Sequence, residues 1–106
     1  MAPLPFSLRY APEVVGHTQA IGARWRGLIR TAIEERLRSE PLVRTVNRKP
    51  LRQPAAFADA WELRFGPQNR FRVFYRVDVD ARVVRILAIG EKHGNELRIG
   101  KERFEL

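Results

Sequence analysis

The stretch W-E-L-R-F-G-P-Q-N-R-F-R-V-F-Y-R-V, Trp61 to Val77, decides the fold. Trp61, Leu63 and Phe65 alternate with Glu62 and Arg64. Beyond G-P-Q-N, Phe71, Val73, Tyr75 and Val77 alternate with Arg70, Arg72, Phe74 and Arg76. Period two sends the two sets to opposite faces of a sheet, which makes a hairpin with one apolar and one arginine-rich face. The arginine face is expected to stand open, with Arg64 and Arg72 on neighbouring strands within reach of one phosphate.

The apolar face needs a covering layer, and the preceding chain supplies it. Phe6, Leu8 and Tyr10 alternate with polar residues and predict a strand over Pro5 to Tyr10. Pro12 and Glu13 suit the first turn of a helix running to about Ile21, where Gly22 breaks it. A second helix is expected from Ala23 to Ser39, with Trp25, Leu28, Ile29, Ala32, Ile33 and Leu37 on one side and Pro41 as the stop. His17 is expected to face outward on the first helix, and Trp25 and Trp61 to be core. Leu42 to Ala60 has no clean period and reads as an ordered basic loop. After the hairpin, V-D-V-D-A turns the chain into V-V-R-I-L-A-I, a third strand ended by Gly90, with E-K-H-G-N as a charged loop. Glu96 to Leu106 is too short a tail to assign. The order β-α-α-β-β-β predicts an α+β fold, two helices packed on one face of a mostly antiparallel sheet.

One domain spanning residues 1–106 suits the length. No apolar run nears the ~20 residues of a membrane span, and the N-terminus lacks the plan of a signal peptide, so a cytoplasmic protein is expected. Without cysteine there are no disulfides or thiolate metal ligands, and only His17 and His93 offer imidazole; no metal or cofactor is expected. The net charge is +8, from 17 Arg and 3 Lys against 12 acidic residues. Such a balance suits a polyanionic partner, nucleic acid or an acidic protein segment. Arginine's planar fork, which binds phosphate bidentately and stacks on bases, favours nucleic acid.

The order of elements, with W-E-L-R-F, N-R-F-R-V-F-Y-R-V and V-V-R-I-L-A-I-G-E-K-H-G-N in succession, resembles the RelE/ParE superfamily of bacterial toxin–antitoxin toxins over nearly the whole chain. RelE-like members are ribonucleases that cut messenger RNA in the ribosomal A site, and a cognate antitoxin blocks them. ParE-like members instead poison DNA gyrase. The resemblance therefore implies a RelE-like messenger RNA endoribonuclease, or alternatively a non-catalytic ParE-like gyrase inhibitor or a decayed toxin that still binds an antitoxin. Carried over by position, Arg64 and Arg72 match basic residues of RelE-like nucleases, Arg72 the one on the scissile phosphate. Lys92 and His93 match the basic residue or histidine after the last strand. Glu62 stands where a family nuclease can have lysine, and no tyrosine occurs near Leu97 to Ile99.

Metal-free RNA cleavage needs a base for the attacking 2′-hydroxyl, cations for the phosphorane and an acid for the leaving 5′-oxygen. Arg64 and Arg72 would supply charge, since arginine stays protonated and cannot serve as the general base. His93 is the candidate proton shuttle, expected at the same sheet edge as Arg72, with Glu91 in reserve as base. Arg48, Lys49, Arg52, Arg70 and Arg76 are the candidate RNA-backbone contacts. Phe74, interrupting the basic face, is either packing or a stacking platform for a base, and packing is the expectation.

Overall fold

The computed structural model describes residues 5–51 and 59–105, so Arg52 lies outside the described residues. Strand β1 (Ser7–Tyr10) leads to α1 (Val14–Ile21) and α2 (Arg26–Leu37). Then come β2 (Arg48–Pro50), β3 (Trp61–Phe65), β4 (Phe71–Asp78), β5 (Val83–His93), β6 (Glu96–Ile99) and β7 (Glu102–Glu105). The expected α+β arrangement is present, with two helices on a mostly antiparallel sheet.

Three differences have physical reasons. Helix α1 begins at Val14 because the chain first turns, the Val14 N–H donating to the Ala11 carbonyl at 3.0 Å. The second helix does not start at Ala23: Ala23–Trp25 form a tight 3₁₀ turn, and only from Arg26 is the chain α-helical. Leu28, so near that change of phase, is left exposed, whereas Ile29, Ile33 and Leu37 are buried. Gly90 does not end β5. A Cβ there would stand 3.0 Å from side-chain carbons of Leu97 and Ile99, so glycine marks a close approach inside the strand rather than its end.

Strand β5 is the axis of the sheet, whose order is β2-β3-β4-β5-β6-β7. Along one edge it pairs antiparallel with β4; along the other it is shared. Its first part pairs parallel with β1 (Ser7 opposite Val83 through Tyr10 opposite Ile86), its last with β6 (Glu91 opposite Arg98 through His93 opposite Glu96). Between these two partners the Ile89 N–H would lack an acceptor, and His17 Nδ1 takes it at 3.3 Å. His17 is thus half-buried against the sheet, not an outward-facing residue. A register shift after Phe74, opposite Ala88, puts Tyr75 opposite Ile86 and leaves Leu87 as the extra residue of a bulge. Ile86 and Ile89, three apart, therefore both reach the helix-covered face.

The main core lies between the helices and that face: Ile29, Ile33 and Leu37 pack on Leu63, Phe65, Phe71, Val73, Tyr75, Val84, Ile86 and Ile89. Trp25 and Trp61 are half-buried at its margin. The opposite face is not an open arginine surface. Phe74, Ala88, Leu97 and Ile99 form a second buried cluster there, flanked by Leu51 and Phe104. Phe74 is thus a packing residue. The cluster exists because the tail is two strands, β6 and β7, rather than an irregular end.

Candidate functional site

The register distributes the predicted site residues over both faces of the sheet. Arg64 lies opposite Arg72, Arg72 opposite Gly90, and Lys49 opposite Glu62. Directly paired residues share a face, as do residues two apart, so Lys49, Glu62, Arg64, Arg72 and Lys92 lie on the face away from the helices. The expected neighbourhood of Arg64 and Arg72 is present, but a carboxylate occupies it. Glu62 Oε1 accepts from Arg64 Nε at 2.8 Å, and Glu62 Oε2 from Arg72 Nη1 at 3.4 Å. The side chains of Glu62 and Arg72 are each only 6% exposed. Burial lowers the Arg72 pKa, with Glu62 opposing that and Arg64 adding to it. Arg72 Nε is buried with no acceptor. Arg72 is therefore a buried, incompletely satisfied cation rather than a fingertip on an open surface.

His93 reaches the same end of the sheet as Arg72, but not the same face. It stands three residues beyond Gly90, and three is odd. With Glu91 and Arg98 it lies on the helix side of the rim, and there a different group assembles. Glu91 is nearly buried; its Oε2 accepts from Arg70 Nε, and its Oε1 lies 3.0 Å from His93 Nε2. Arg70 is steadied by aromatic faces, its guanidinium carbon 5.0 Å from the Trp25 ring centre and 5.8 Å from that of Phe71. A carboxylate only accepts, so it selects the tautomer with hydrogen on Nε2 and leaves the His93 Nδ1 lone pair available to take a proton. His93 and Arg70 border an open depression of about 500 Å³ lined also by Lys92, Gly94, Pro67 and Gln68. On its other side His93 borders a second depression of about 420 Å³ that includes Arg98, Lys101 and Arg103. Bonding to Arg98, with Arg103 and His93 nearby, holds the exposed Glu96 carboxyl below its ordinary range.

The remaining candidates separate cleanly. Arg48 is buried, and its guanidinium donates to the carbonyls of Glu40, Val43 and Arg36, closing the end of α2. It is a helix-end clamp, not a phosphate contact, because its position opposite Leu63 turns it toward the helices. Lys49 is exposed on edge strand β2. Arg76, opposite Arg85, lies four residues up β4 from Arg72, about 13 Å away by strand rise. Arg98, Lys101 and Arg103 escaped the sequence reading, although E-L-R-I alternates with period two and could have marked a strand.

No family model matches the chain, and no curated protein matches it. Among solved structures it is similar to the toxin–antitoxin complex RelBE2 from Mycobacterium tuberculosis, with a TM-score of 0.69 and 24% identity, over 84% of this chain and 93% of that one. The chain shares the α+β fold of a chain of that toxin–antitoxin complex.

Proposed function

We propose that this chain is the toxin of a toxin–antitoxin pair, an RNA-directed endoribonuclease that cuts messenger RNA on the ribosome, stops translation and is neutralised by an acidic antitoxin. The observation that carries the reading is the Arg70–Glu91–His93 relay at an open, cationic rim. His93 Nδ1 takes the proton of the RNA 2′-hydroxyl while Glu91 holds the Nε2–H and stabilises the imidazolium that forms. Attack on phosphorus expels the 5′-oxygen, which receives a proton from the imidazolium or from water. Arg70 and Lys92, both lining the depression beside His93, supply positive charge for the phosphorane. The fold and the charge of +8 agree with this reading.

The test is cleavage of messenger RNA on programmed ribosomes by His93→Gln. The expected loss is roughly 10²-fold or more, the scale of general acid–base catalysis, with RNA affinity little changed. Undiminished cleavage removes His93 from the mechanism. A second reading, a non-catalytic toxin acting on DNA gyrase, is favoured by one observation: Glu62 pairs with both Arg64 and Arg72, and Arg72 is the arginine that the resemblance assigns to the scissile phosphate. Inhibition of gyrase supercoiling by purified protein that leaves RNA intact would select it.

A further inference from the structure

His93 stands on a ridge between two depressions, with Arg70 lining the first and Glu91 the second. The second is bounded by the end of α1 at Ala20 and Ile21, by Arg98 on β6, and by Gly100, Lys101 and Arg103 at the turn into β7. Its polar lining is not self-satisfied. Arg98 donates through Nε to Glu96 at 2.7 Å, and Arg103 Nε lies 3.8 Å from the same oxygen. The Arg98 guanidinium is therefore held by one edge and Arg103 is drawn toward the same oxygen without a hydrogen bond, and their terminal nitrogens meet no acceptor among the described residues. Glu96 thus orients the Arg98 fork without filling it. Glu91 and Glu102 also border the depression, so its lining carries three cations, Arg98, Lys101 and Arg103, against two carboxylates. Arg98 and Arg103 side chains are 45% and 68% exposed, within reach of a ligand from solvent.

We propose that Arg98, Lys101 and Arg103 bind a backbone phosphate adjacent to the reacting one, so that single-stranded RNA crosses the rim over His93 with one phosphate in each depression. This inference rests on the RNA-directed reading above and adds the path of the substrate. Held at Nε, Arg98 presents its two Nη groups as a fork for phosphate oxygens, the geometry in which arginine binds phosphate bidentately, and the exposed Arg103 can join it. A strand lying along this ridge would place its 2′-hydroxyl over His93 while both flanking phosphates are gripped.

The probe is a fluorescein-labelled eight-nucleotide RNA with 2′-O-methyl groups, which binds but cannot be cut. Its affinity for the full chain is measured across a salt series. Each phosphate contact contributes about −0.7 to the log–log slope for single strands. The double variant Arg98→Gln, Arg103→Gln should make the slope shallower by about 0.7. Arg98→Lys, Arg103→Lys keeps the charge and should hold the slope near that of the parent, which separates phosphate contact from misfolding. An unchanged slope in the glutamine variant, with the parent binding normally, overturns the path. His93→Gln tells the two readings apart. If it loses cleavage while the arginine slope stays unchanged, the nuclease reading stands and the path falls. If the arginine slope shifts while His93→Gln cleaves like the parent, the path stands and the relay falls.

Discussion

Glu62 has the greatest influence per atom on what the sheet's outer face can do. Its carboxylate lies between Arg64 and Arg72 and accepts from both. Glu62→Gln should cost about 3–5 kcal/mol, because it leaves Arg72 as an uncompensated buried cation. Millimolar inorganic phosphate should then raise the melting temperature of the variant more than that of the parent. Equal responses in both proteins would mean that the two arginines do not form an anion site even when vacated. His17 carries a second prediction. Burial lowers its pKa below the ordinary ~6.5, against the raising influence of Glu13 and Glu102, and its Nδ1 must stay unprotonated to accept from Ile89. With the folded-state pKa below the unfolded one, the unfolded chain takes up the proton first as pH falls. The His17 contribution to stability is therefore complete above about pH 7 and declines through pH 6 and below. His17→Asn keeps an acceptor but cannot titrate in this range. Urea melts should show its stability deficit shrinking between pH 7 and pH 5, and a deficit constant with pH would remove the linkage.

At the scale of elements, the meander from Trp61 to Ile89 and the apolar stripe of α2 were legible, because alternation and helical period report directly which side is covered. Three things were not. Gly90 looks like a terminator, yet it is a point of close packing for Leu97 and Ile99, and only the neighbouring strand reveals that. With β5 four residues longer at that end, through Gly90 to His93, parity puts His93 on the other face from Arg72, so an extension at one glycine rearranges the candidate site. The basic segment around Arg48 carried a compositional signal for nucleic acid, but a buried arginine closing the end of α2 has the same letters. Its role is testable. Arg48→Met leaves the carbonyls of Arg36, Glu40 and Val43 without their donor, at a cost of about 3 kcal/mol. For a domain of this size the melting temperature should drop by roughly 12–24 °C, and Arg48→Lys should not rescue it, since one ammonium cannot replace a planar fork. A variant that melts like the parent but binds RNA less tightly would return Arg48 to the phosphate contacts.

Across the whole molecule, an excess of eight positive charges meets a surface that also exposes Tyr10, Val15, Leu42, Val43 and Val46. Nucleic acid needs only the charge. An antitoxin, under the proposed function, would use both, because charge accelerates encounter while buried apolar contact sets how long the complex lasts. The two contributions respond differently to salt. At 0.15 M ionic strength the Debye length is about 8 Å and at 1 M about 3 Å, so steering fades while contacts inside an interface are barely screened. The association rate of an acidic antitoxin should fall by on the order of tenfold or more between 50 mM and 500 mM salt, with the dissociation rate changing little. RNA, held by phosphate contacts alone, should lose equilibrium affinity over the same range through faster release as well as slower capture. Surface plasmon resonance on the immobilised chain distinguishes the cases. An association rate indifferent to salt would show that the apolar surface, rather than the arginines, is what the antitoxin meets first, and the +8 charge would then belong to the nucleic acid alone.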